Sequence, residues 1–239
     1  MLVKVQKQLI LYTFLKINFS MKKVLLLIFT LSTFFAQAQD SNFGNWINYF
    51  GNKKINSKWN LHHEAQYRNY NAVGDLEQLL LRTGIGYNLS ENNNNLLLGY
   101  GYINSQNYTG SSSDDKIQIE EHRIYQQFIT KQSFGRVNIS HRYRFEQRFV
   151  EADFKVRFRY FLAFQYLLNN SDFTDDTFYL TGYNEIFINT KTNIFDRNRL
   201  YGGLGYKLNK LARFELGYMN QFFAVGGRDQ LNMNVFLSF

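Results

Sequence analysis

The sequence predicts an all-β protein, a single antiparallel up-and-down transmembrane β-barrel preceded by a signal peptide. Three observations predict it. The 239-residue chain has no proline, but it has 24 phenylalanines and 17 tyrosines, a composition typical of paired strands because proline removes a ladder hydrogen bond. Polar and apolar residues alternate along most of the chain, which is the period of a β-strand. A basic and then apolar segment near the N-terminus has the form of an export signal.

The export signal begins at Met21. Two lysines follow it, residues 24–36 are largely apolar, and residues 36–38, Ala-Gln-Ala, have the small-x-small form of a cleavage site. The apolar run is shorter than the roughly 20 residues that a membrane-spanning helix needs. A membrane anchor that starts further upstream is the alternative, but lysines at positions 16, 22 and 23 interrupt that longer segment.

These features divide the chain into three parts. We expect residues 1–20 to be an upstream extension and residues 21–38 to be a signal peptide that is cleaved on export. We expect residues 39–239 to form one barrel domain in the outer membrane of a Gram-negative-type bacterium. No linker or change of composition divides this last part.

The charge of the chain argues against a nucleic-acid partner. The formal net charge is +8, but residues 1–38 hold five of the 27 basic residues and none of the 19 acidic ones. The exported chain therefore has 22 basic against 19 acidic residues, and no lysine-rich stripe is present. The chain has no cysteine, which excludes disulfides and thiolate metal sites.

The alternation marks about 11 candidate strands, which are separated by clusters of Asn, Gly, Ser and Asp. Single-chain bacterial barrels normally have an even number of strands, so we expect 10 or 12. Segments 43–50 and 117–131 are the weakest, and both faces of the second mix polar and apolar residues. We expect short periplasmic turns and longer outer loops. In chain order the candidate strands lie near residues 43–50, 59–70, 79–89, 96–102, 117–131, 136–150, 154–168, 180–188, 200–208, 213–218 and 231–239.

The alternating faces predict a barrel that is apolar outside and polar inside. A soluble barrel with an apolar interior is the alternative, but its interior could not easily hold so many large aromatic side chains. Segments 136–150 and 154–168 also exceed the roughly 9–11 residues that a membrane strand needs, and many apolar faces carry the amphipathic rings of aromatic girdles. The side chains expected to face the membrane are Trp59, Leu61, Tyr67, Val156, Phe158, Tyr160, Leu162, Phe164, Tyr166, Leu237 and Phe239.

The opposite faces carry the charged side chains expected to line the lumen. The densest row of arginines lies on segment 136–150 and continues on the next segment. Such a row would favour anionic solutes, as charged rings do in pores. The alternative, which we favour, is that the arginines pair with glutamates and plug a narrow lumen, because small barrels fill their interiors with side chains. The expected lumen residues are His62, Glu64, Arg68, Arg82, Arg142, Arg144, Glu146, Arg148, Arg157, Arg159, Glu185, Arg213 and Glu215.

We expect no catalytic, cofactor-binding or metal-binding residues. His62 and Glu64 share one strand face, but no histidine spacing typical of a metal site accompanies them. An outer-membrane lipase or acyltransferase needs a nucleophile beside a base, and the adjacent Ser140 and His141 point to opposite sides of a strand. The glycines at 202–205 are followed by neither a helix nor the Lys-Ser/Thr ending of a phosphate loop.

The last segment alternates up to the aromatic C-terminal residue, Phe239. This pattern resembles the terminal signature by which outer-membrane barrels are recognised for assembly, and an ordinary last strand that ends in Phe is the alternative. We therefore expect the barrel-assembly machinery and outer-membrane lipids to be partners, with small solutes as further candidates.

The sequence also resembles a family of exported proteins catalogued as domain of unknown function 2490. The resemblance covers essentially the whole exported chain, and it implies an outer-membrane barrel but no activity. We expect a non-enzymatic channel, transport or structural barrel with an arginine-rich lumen. A lipid-modifying enzyme and a surface protein that binds through its outer loops are the alternatives. The matching stretches are residues 58–61, 66–68, 81–87, 121–127, 141–148, 183–187 and 196–201.

Overall fold

The computed structural model describes residues 43–239 apart from positions 73, 91–92, 111–113 and 192. The expected extension and signal peptide lie outside the described residues. The described part of the chain contains eleven β-strands and no helix, which confirms the all-β class. The strands are β1 (Phe43–Lys54), β2 (Trp59–Asn69), β3 (Leu76–Asn88), β4 (Asn94–Tyr108), β5 (Lys116–Phe134), β6 (Val137–Val150), β7 (Asp153–Leu167), β8 (Thr177–Asn189), β9 (Phe195–Lys207), β10 (Ala212–Phe222) and β11 (Gly227–Ser238).

The eleven strands form one closed barrel. Each strand pairs antiparallel with the next one along the chain, but the barrel closes between β1 and β11, which run parallel, with Phe43 opposite Asp229 and Asn52 opposite Ser238. The first and last strands of an up-and-down run with an odd strand number point the same way, so a parallel seam is unavoidable. The described strand number, eleven, agrees with the 10 to 12 strands expected, although it is odd and not even, and each of the eleven alternating segments corresponds to one strand.

Apolar side chains lie mainly on the exposed face of the strands, and polar side chains lie mainly on the buried face. Among the described residues, 24 polar or charged side chains are buried against only ten hydrophobic ones, which reverses the distribution of a soluble protein. On β7, for example, Phe158 and Phe164 are exposed, whereas Arg157 and Arg159 are buried. The period of two in the sequence thus separates an apolar outer face from a polar inner one. No helix in the described residues is long and apolar enough to cross a membrane.

Strand β5 is the longest, with 19 residues, although its segment gives no clear face in the sequence. Its buried face carries Glu121, Arg123 and Tyr125 in alternation, and the exposed residues between them include His122 and Ile124. Because a polar residue stands on each face, the alternation of burial is not an alternation of polarity. This explains why the sequence pattern fails on this strand.

Glycines on the inner face make room for tyrosine rings of the neighbouring strand. A Cβ atom placed on Gly99 would lie 2.2 Å from Cζ of Tyr125, and one on Gly205 would lie 2.1 Å from Cζ of Tyr179. Both tyrosines are fully buried. The Gly-rich stretch at 202–205 is therefore part of strand β9 and not a phosphate-binding loop.

The two ends of the barrel are named here by the chain termini. Strand β1 starts at the N end, and β11 finishes at the opposite C end. Each end combines one two-residue turn with longer loops, so the expected contrast between short turns at one end and longer loops at the other is wrong. The N-end loops are residues 70–75, 109–115, 151–152, 190–194 and 223–226, and the C-end loops are 55–58, 89–93, 135–136, 168–176 and 208–211.

Candidate functional site

Arginine and acidic side chains gather on the buried face of the strands, and we call this set the arginine network. Arg142 on β6 donates to Glu185 on β8 over 2.7 Å, and Arg157 on β7 donates to Asp196 on β9 over 2.7 Å. These strands are not neighbours, so the contacts lie inside the closed barrel. The network consists of the arginines Arg68, Arg82, Arg123, Arg142, Arg144, Arg148, Arg157, Arg159, Arg197 and Arg199 and the acids Glu64, Glu121, Glu146, Glu185 and Asp196.

Glu146 is the most deeply buried acid of the network, with no exposed surface. Its Oε2 accepts hydrogen bonds from Nε and Nη2 of Arg157 at 2.9 and 2.6 Å, and its Oε1 accepts from Nη1 of Arg159 at 2.7 Å. Nη1 of Arg144 lies 3.6 Å from the same Oε1, which is beyond hydrogen-bond distance. The Glu146 carboxylate therefore accepts hydrogen bonds from two arginines and attracts a third through its charge alone.

Glu185 is shared in the same way. Its Oε1 accepts from Arg142 at 2.7 Å and from Nη2 of Arg159 at 2.6 Å. Nη1 of Arg199 lies 3.7 Å from its Oε2. Because Arg159 binds both Glu146 and Glu185, it joins the two acids into one buried cluster, and charge-assisted hydrogen bonds of this kind are the strong ones.

Glu121 binds two arginines through both of its oxygens. Arg123, on the same strand, donates through Nε and Nη2 at 2.5 and 2.9 Å, and Arg148 on β6 donates at the same two distances. Each pair is the parallel two-bond arrangement that suits a planar guanidinium and a carboxylate. This pair of arginines closes the network toward the N end, since Arg148 lies close to the end of β6.

Glu64 connects β2 to β3. Its carboxylate accepts hydrogen bonds from Nη1 of Arg82 at 2.7 Å and from Gln66, and its Oε2 lies 3.3 Å from Nε2 of His62. The sequence places His62 and Glu64 on one strand face, and the structure brings them into contact. Among the residues described, no group of three His, Cys, Asp or Glu side chains could hold a metal ion.

Three arginines of the network donate their side-chain hydrogen bonds to glutamines, whereas the other arginines donate to carboxylates. Arg144 donates twice to Oε1 of Gln127, at 2.8 and 2.5 Å, and Arg199 donates to Gln221 at 2.8 Å. Arg68 donates to two glutamines, Gln66 and Gln78. These three cations are buried, and a neutral amide does not compensate their charge.

Aromatic rings provide a second kind of support for the arginines. The guanidinium carbon of Arg68 lies 3.7 Å from the centre of the Trp46 ring, and that of Arg199 lies 4.9 Å from it. The ring of Phe187 lies 4.4 Å from the guanidinium carbon of Arg159 and 4.6 Å from that of Arg199. Such cation–π contacts stabilise a desolvated arginine by about 2 kcal/mol.

Arg213 and Glu215 form a separate group near the C end, where β10 begins. Nη1 of Arg213 lies 3.4 Å from Oε1 of Glu215, which also accepts from the hydroxyl of Tyr179 at 2.9 Å. The guanidinium of Arg213 stacks on Phe236 at 3.8 Å. The plug hypothesis drawn from the sequence pairs the arginine rows of β6 and β7 with glutamates. Glu215 instead pairs with Arg213 and not with those rows.

All thirteen side chains expected to line the lumen lie wholly or partly buried. His62, Arg142, Arg148 and Arg213 are half-buried, and all except Arg213 and Glu215 contact or belong to the arginine network. Of the thirteen expected lumen residues, the fully buried ones are Glu64, Arg68, Arg82, Arg144, Glu146, Arg157, Arg159, Glu185 and Glu215.

The eleven side chains expected to face the membrane lie on the other face. Val156, Tyr160 and Leu237 are half-buried. The exposed ones are Trp59, Leu61, Tyr67, Phe158, Leu162, Phe164, Tyr166 and Phe239.

Sequence reasoning missed several members of the network. Glu121 and Arg123 lie on β5, whose faces do not separate by polarity, and Asp196 and Arg197 lie in a stretch expected to be a loop. The alternation of Arg197 and Arg199 is the signal that could have extended β9 to its observed start.

Three histidines lie on the outer face, each against a tyrosine hydroxyl of a neighbouring strand. Nδ1 of His63 lies 3.1 Å from the hydroxyl of Tyr49, and Nδ1 of His141 lies 2.9 Å from that of Tyr160. His122 makes the same contact with Tyr100 at 2.5 Å. Each pair satisfies a polar ring on an otherwise apolar surface.

Comparison with known proteins gives a family but no activity. A family model described as "Protein of unknown function (DUF2490)" matches residues 43–232. An uncharacterised protein of Methylorubrum extorquens is 31% identical over 170 residues, which cover 66% of this chain and 69% of the relative. No solved structure matches the chain.

Proposed function

We propose that this chain, which belongs to the DUF2490 family of proteins of unknown function, is a non-enzymatic outer-membrane β-barrel whose lumen is closed by the arginine network. The observation that carries the proposal is the burial of that network inside a closed barrel. The side chains of Arg82, Arg144 and Glu146 are only 5%, 2% and 0% exposed. Side chains packed in this way support a lumen that is narrowed or closed at their level.

The outer face supports a membrane environment. Its exposed side chains are mostly large and apolar, such as Leu98, Phe164 and Leu216, whereas water-soluble proteins rarely expose such continuous apolar surface. Every strand of the closed barrel pairs on both sides, so the sheet has no open edge, which a membrane requires of any strand-built protein.

Amphipathic aromatic rings near the C end support the same environment. Trp59 and Tyr87 lie on neighbouring strands close to that end, with ring centres 4.8 Å apart. Tyr166 and Tyr206 lie near the C-end limits of β7 and β9. Such rings anchor membrane proteins at the level of the lipid headgroups. Outer-membrane lipids are therefore the proposed surroundings, and the barrel-assembly machinery is the proposed partner of the final strand.

A conductance measurement tests the closed lumen. We expect the protein to fractionate with the outer membrane and, once reconstituted into a planar bilayer, to pass no steady current. Replacing Glu146, Arg157 and Arg159 together by alanine removes the centre of the network and should produce a current. The matched control is Gln165→Ala, near the C end and outside the network, which should leave the barrel silent.

A steady current through the unmodified protein would contradict the closed lumen, whatever the triple variant does. Recovery of the protein in the soluble periplasmic fraction would contradict the membrane location.

A further inference from the structure

The outer face of strand β5 is polar, whereas that of β7 is apolar. The even-numbered residues of β5 point outward, and only three of these ten are apolar: Ile124, Phe128 and Phe134. On β7 the seven outward residues, from Phe154 to Tyr166, are all aliphatic or aromatic. The apolar part of the β5 outer face, from Ile124 to Phe128, covers five residues, fewer than the roughly 9–11 that a membrane strand needs. Lipid chains alone are therefore a poor environment for the outer face of β5.

Gln126 lies at the centre of this outer face. The midpoint of the 19-residue strand is Tyr125, one residue away. Gln126 stands opposite Leu98 on β4 and Phe145 on β6. Its side chain is exposed and makes no hydrogen bond with any described residue. An amide without a partner is thus surrounded by apolar side chains halfway along the strand.

A groove of about 760 Å³ lies on the outer face, and Gln126 lines it. Its walls come from several strands and include Leu98, Phe145, Phe158 and Ile186. Of the described outward side chains that line the groove, Gln126 alone carries an amide. A fitting occupant is therefore mostly apolar and offers a hydrogen-bonding group opposite Gln126.

The depth of Gln126 favours a protein over a lipid as this occupant. Lipids present hydrocarbon halfway across a bilayer, so they leave the amide unpaired, and an unpaired polar group in hydrocarbon is costly. Glutamine side chains in membranes form hydrogen bonds with neighbouring protein segments instead.

The chemistry of the amide favours a second copy of this chain. In a twofold symmetric contact, a residue close to the axis meets its own counterpart. A glutamine amide both donates and accepts hydrogen bonds, so Gln126 of one copy satisfies Gln126 of the other. Phe128 and Tyr143, whose ring centres lie 6.3 Å apart on the same face, supply apolar area for the contact.

We propose that the outer face of β4, β5 and β6 binds a second copy of this chain within the membrane, with the two Gln126 side chains hydrogen-bonded to each other near a twofold axis. The inference rests on the membrane location proposed above, because in water the solvent would satisfy Gln126.

Crosslinking in isolated outer membranes tests the contact. The chain has no cysteine, so single cysteines report on one position each. Ile124 lies two residues from Gln126 and is 41% exposed, and Leu216 on β10 is 54% exposed. Strands β10 and β5 lie on opposite sides of the barrel, with four strands between them on the shorter side. A short bifunctional thiol reagent should join two copies of Ile124→Cys into a product of twice the mass and leave the Leu216→Cys control single.

A second measurement isolates the role of the amide. Labelled copies of the purified protein in lipid vesicles report their association by energy transfer, and dilution with lipid gives the dissociation constant. Gln126→Leu removes both hydrogen bonds between the copies and should raise this constant about tenfold. Asn198→Leu, which removes an outward amide on β9, should leave it unchanged.

The proposal is overturned if outer membranes that contain the Ile124→Cys barrel give no crosslinked pair, or a product whose mass corresponds to a different protein. An unchanged dissociation constant in Gln126→Leu contradicts it as well, and if this variant does not fold, the crosslinking decides alone. Recovery of the barrel in the outer membrane and its conductance are measured separately, so loss of the contact leaves the proposed function standing.

Discussion

The N-end and C-end halves of the barrel interior are built differently. Toward the N end the inner face is filled by the arginine network, in which Arg157 and Glu146 are 4% and 0% exposed. Toward the C end some inner side chains are less buried: Gln165 and Lys207 are half-buried and Lys131 is exposed, whereas Thr177 and Tyr179 are fully buried. We call the N-end part, which the closed-lumen proposal takes to be sealed, the sealed layer, and the C-end part around Gln165, Lys207 and Lys131 the vestibule.

The difference shows that strand geometry does not decide whether a barrel is open. The fold supplies a closed ring of strands at every level, and the inward side chains decide what occupies the space. Long arginines with shared carboxylates fill the N-end half. Several shorter inward residues, such as Ser140, Ala163 and Gly203, belong to the C-end half, beside a few large ones such as Tyr179.

The largest expected effect separates the acids of the two halves. Glu146→Gln leaves Arg157 and Arg159 without their buried carboxylate, and removing one partner of a buried pair costs about 3–5 kcal/mol. Glu215→Gln, the matched change in the vestibule, faces the half-buried Arg213 and should cost less than half as much. Urea unfolding of both variants in the same lipid vesicles measures the difference. Equal losses would mean that the two halves do not differ as described.

A second expected effect concerns access from water. The chain has no cysteine, so a single introduced cysteine reports on its own surroundings. Gln165→Cys in the vestibule should react with a water-soluble thiol reagent about tenfold or more faster than Gln230→Cys, because thiol reactivity requires exposure and Gln230 has no exposed surface. Each rate in the folded protein is divided by the rate of the same variant in denaturant. Equal ratios for the two variants would contradict the existence of a water-accessible vestibule.

The smallest expected effect belongs to the vestibule arginine. Arg213 is 28% exposed on its side chain and lies 3.4 Å from Glu215. Partly exposed ion pairs contribute about 0.2–1 kcal/mol, so Arg213→Gln should lower the unfolding free energy by no more than about 1 kcal/mol, and added salt should shrink the difference. A loss as large as that of Glu146→Gln would show that Arg213 belongs to the sealed layer.

The sequence predicts the fold and the identity of the two faces because a single rule, the alternation of side chains along a strand, determines both. Phe158 and Arg157 are adjacent, and their opposite polarity is enough to place them. The rule fails where outward residues are themselves polar. His122 on β5 is satisfied by Tyr100, a cross-strand contact that no local pattern reveals, and Glu121 and Arg123 are missed with it.

The pairing within the network could be predicted only in part. Which arginines lie on inward faces follows from their spacing, but which acid each one reaches depends on strand register and on contacts across the barrel. Glu185 illustrates the point, because it binds Arg142 from a strand that is not its neighbour. The number of strands was likewise expected to be even, although nothing in the geometry of a closed barrel forbids a parallel seam.

That parallel seam has a consequence for chain connectivity. In an even up-and-down barrel the first and last strands are antiparallel, so the start of one and the finish of the other lie side by side, and a short linker can join them to give a circular permutant. Here Phe43 lies at the N end and Ser238 at the C end. A linker between them would have to run the full length of the barrel, so permuted versions of this chain require a long connection that its antiparallel counterparts do not need.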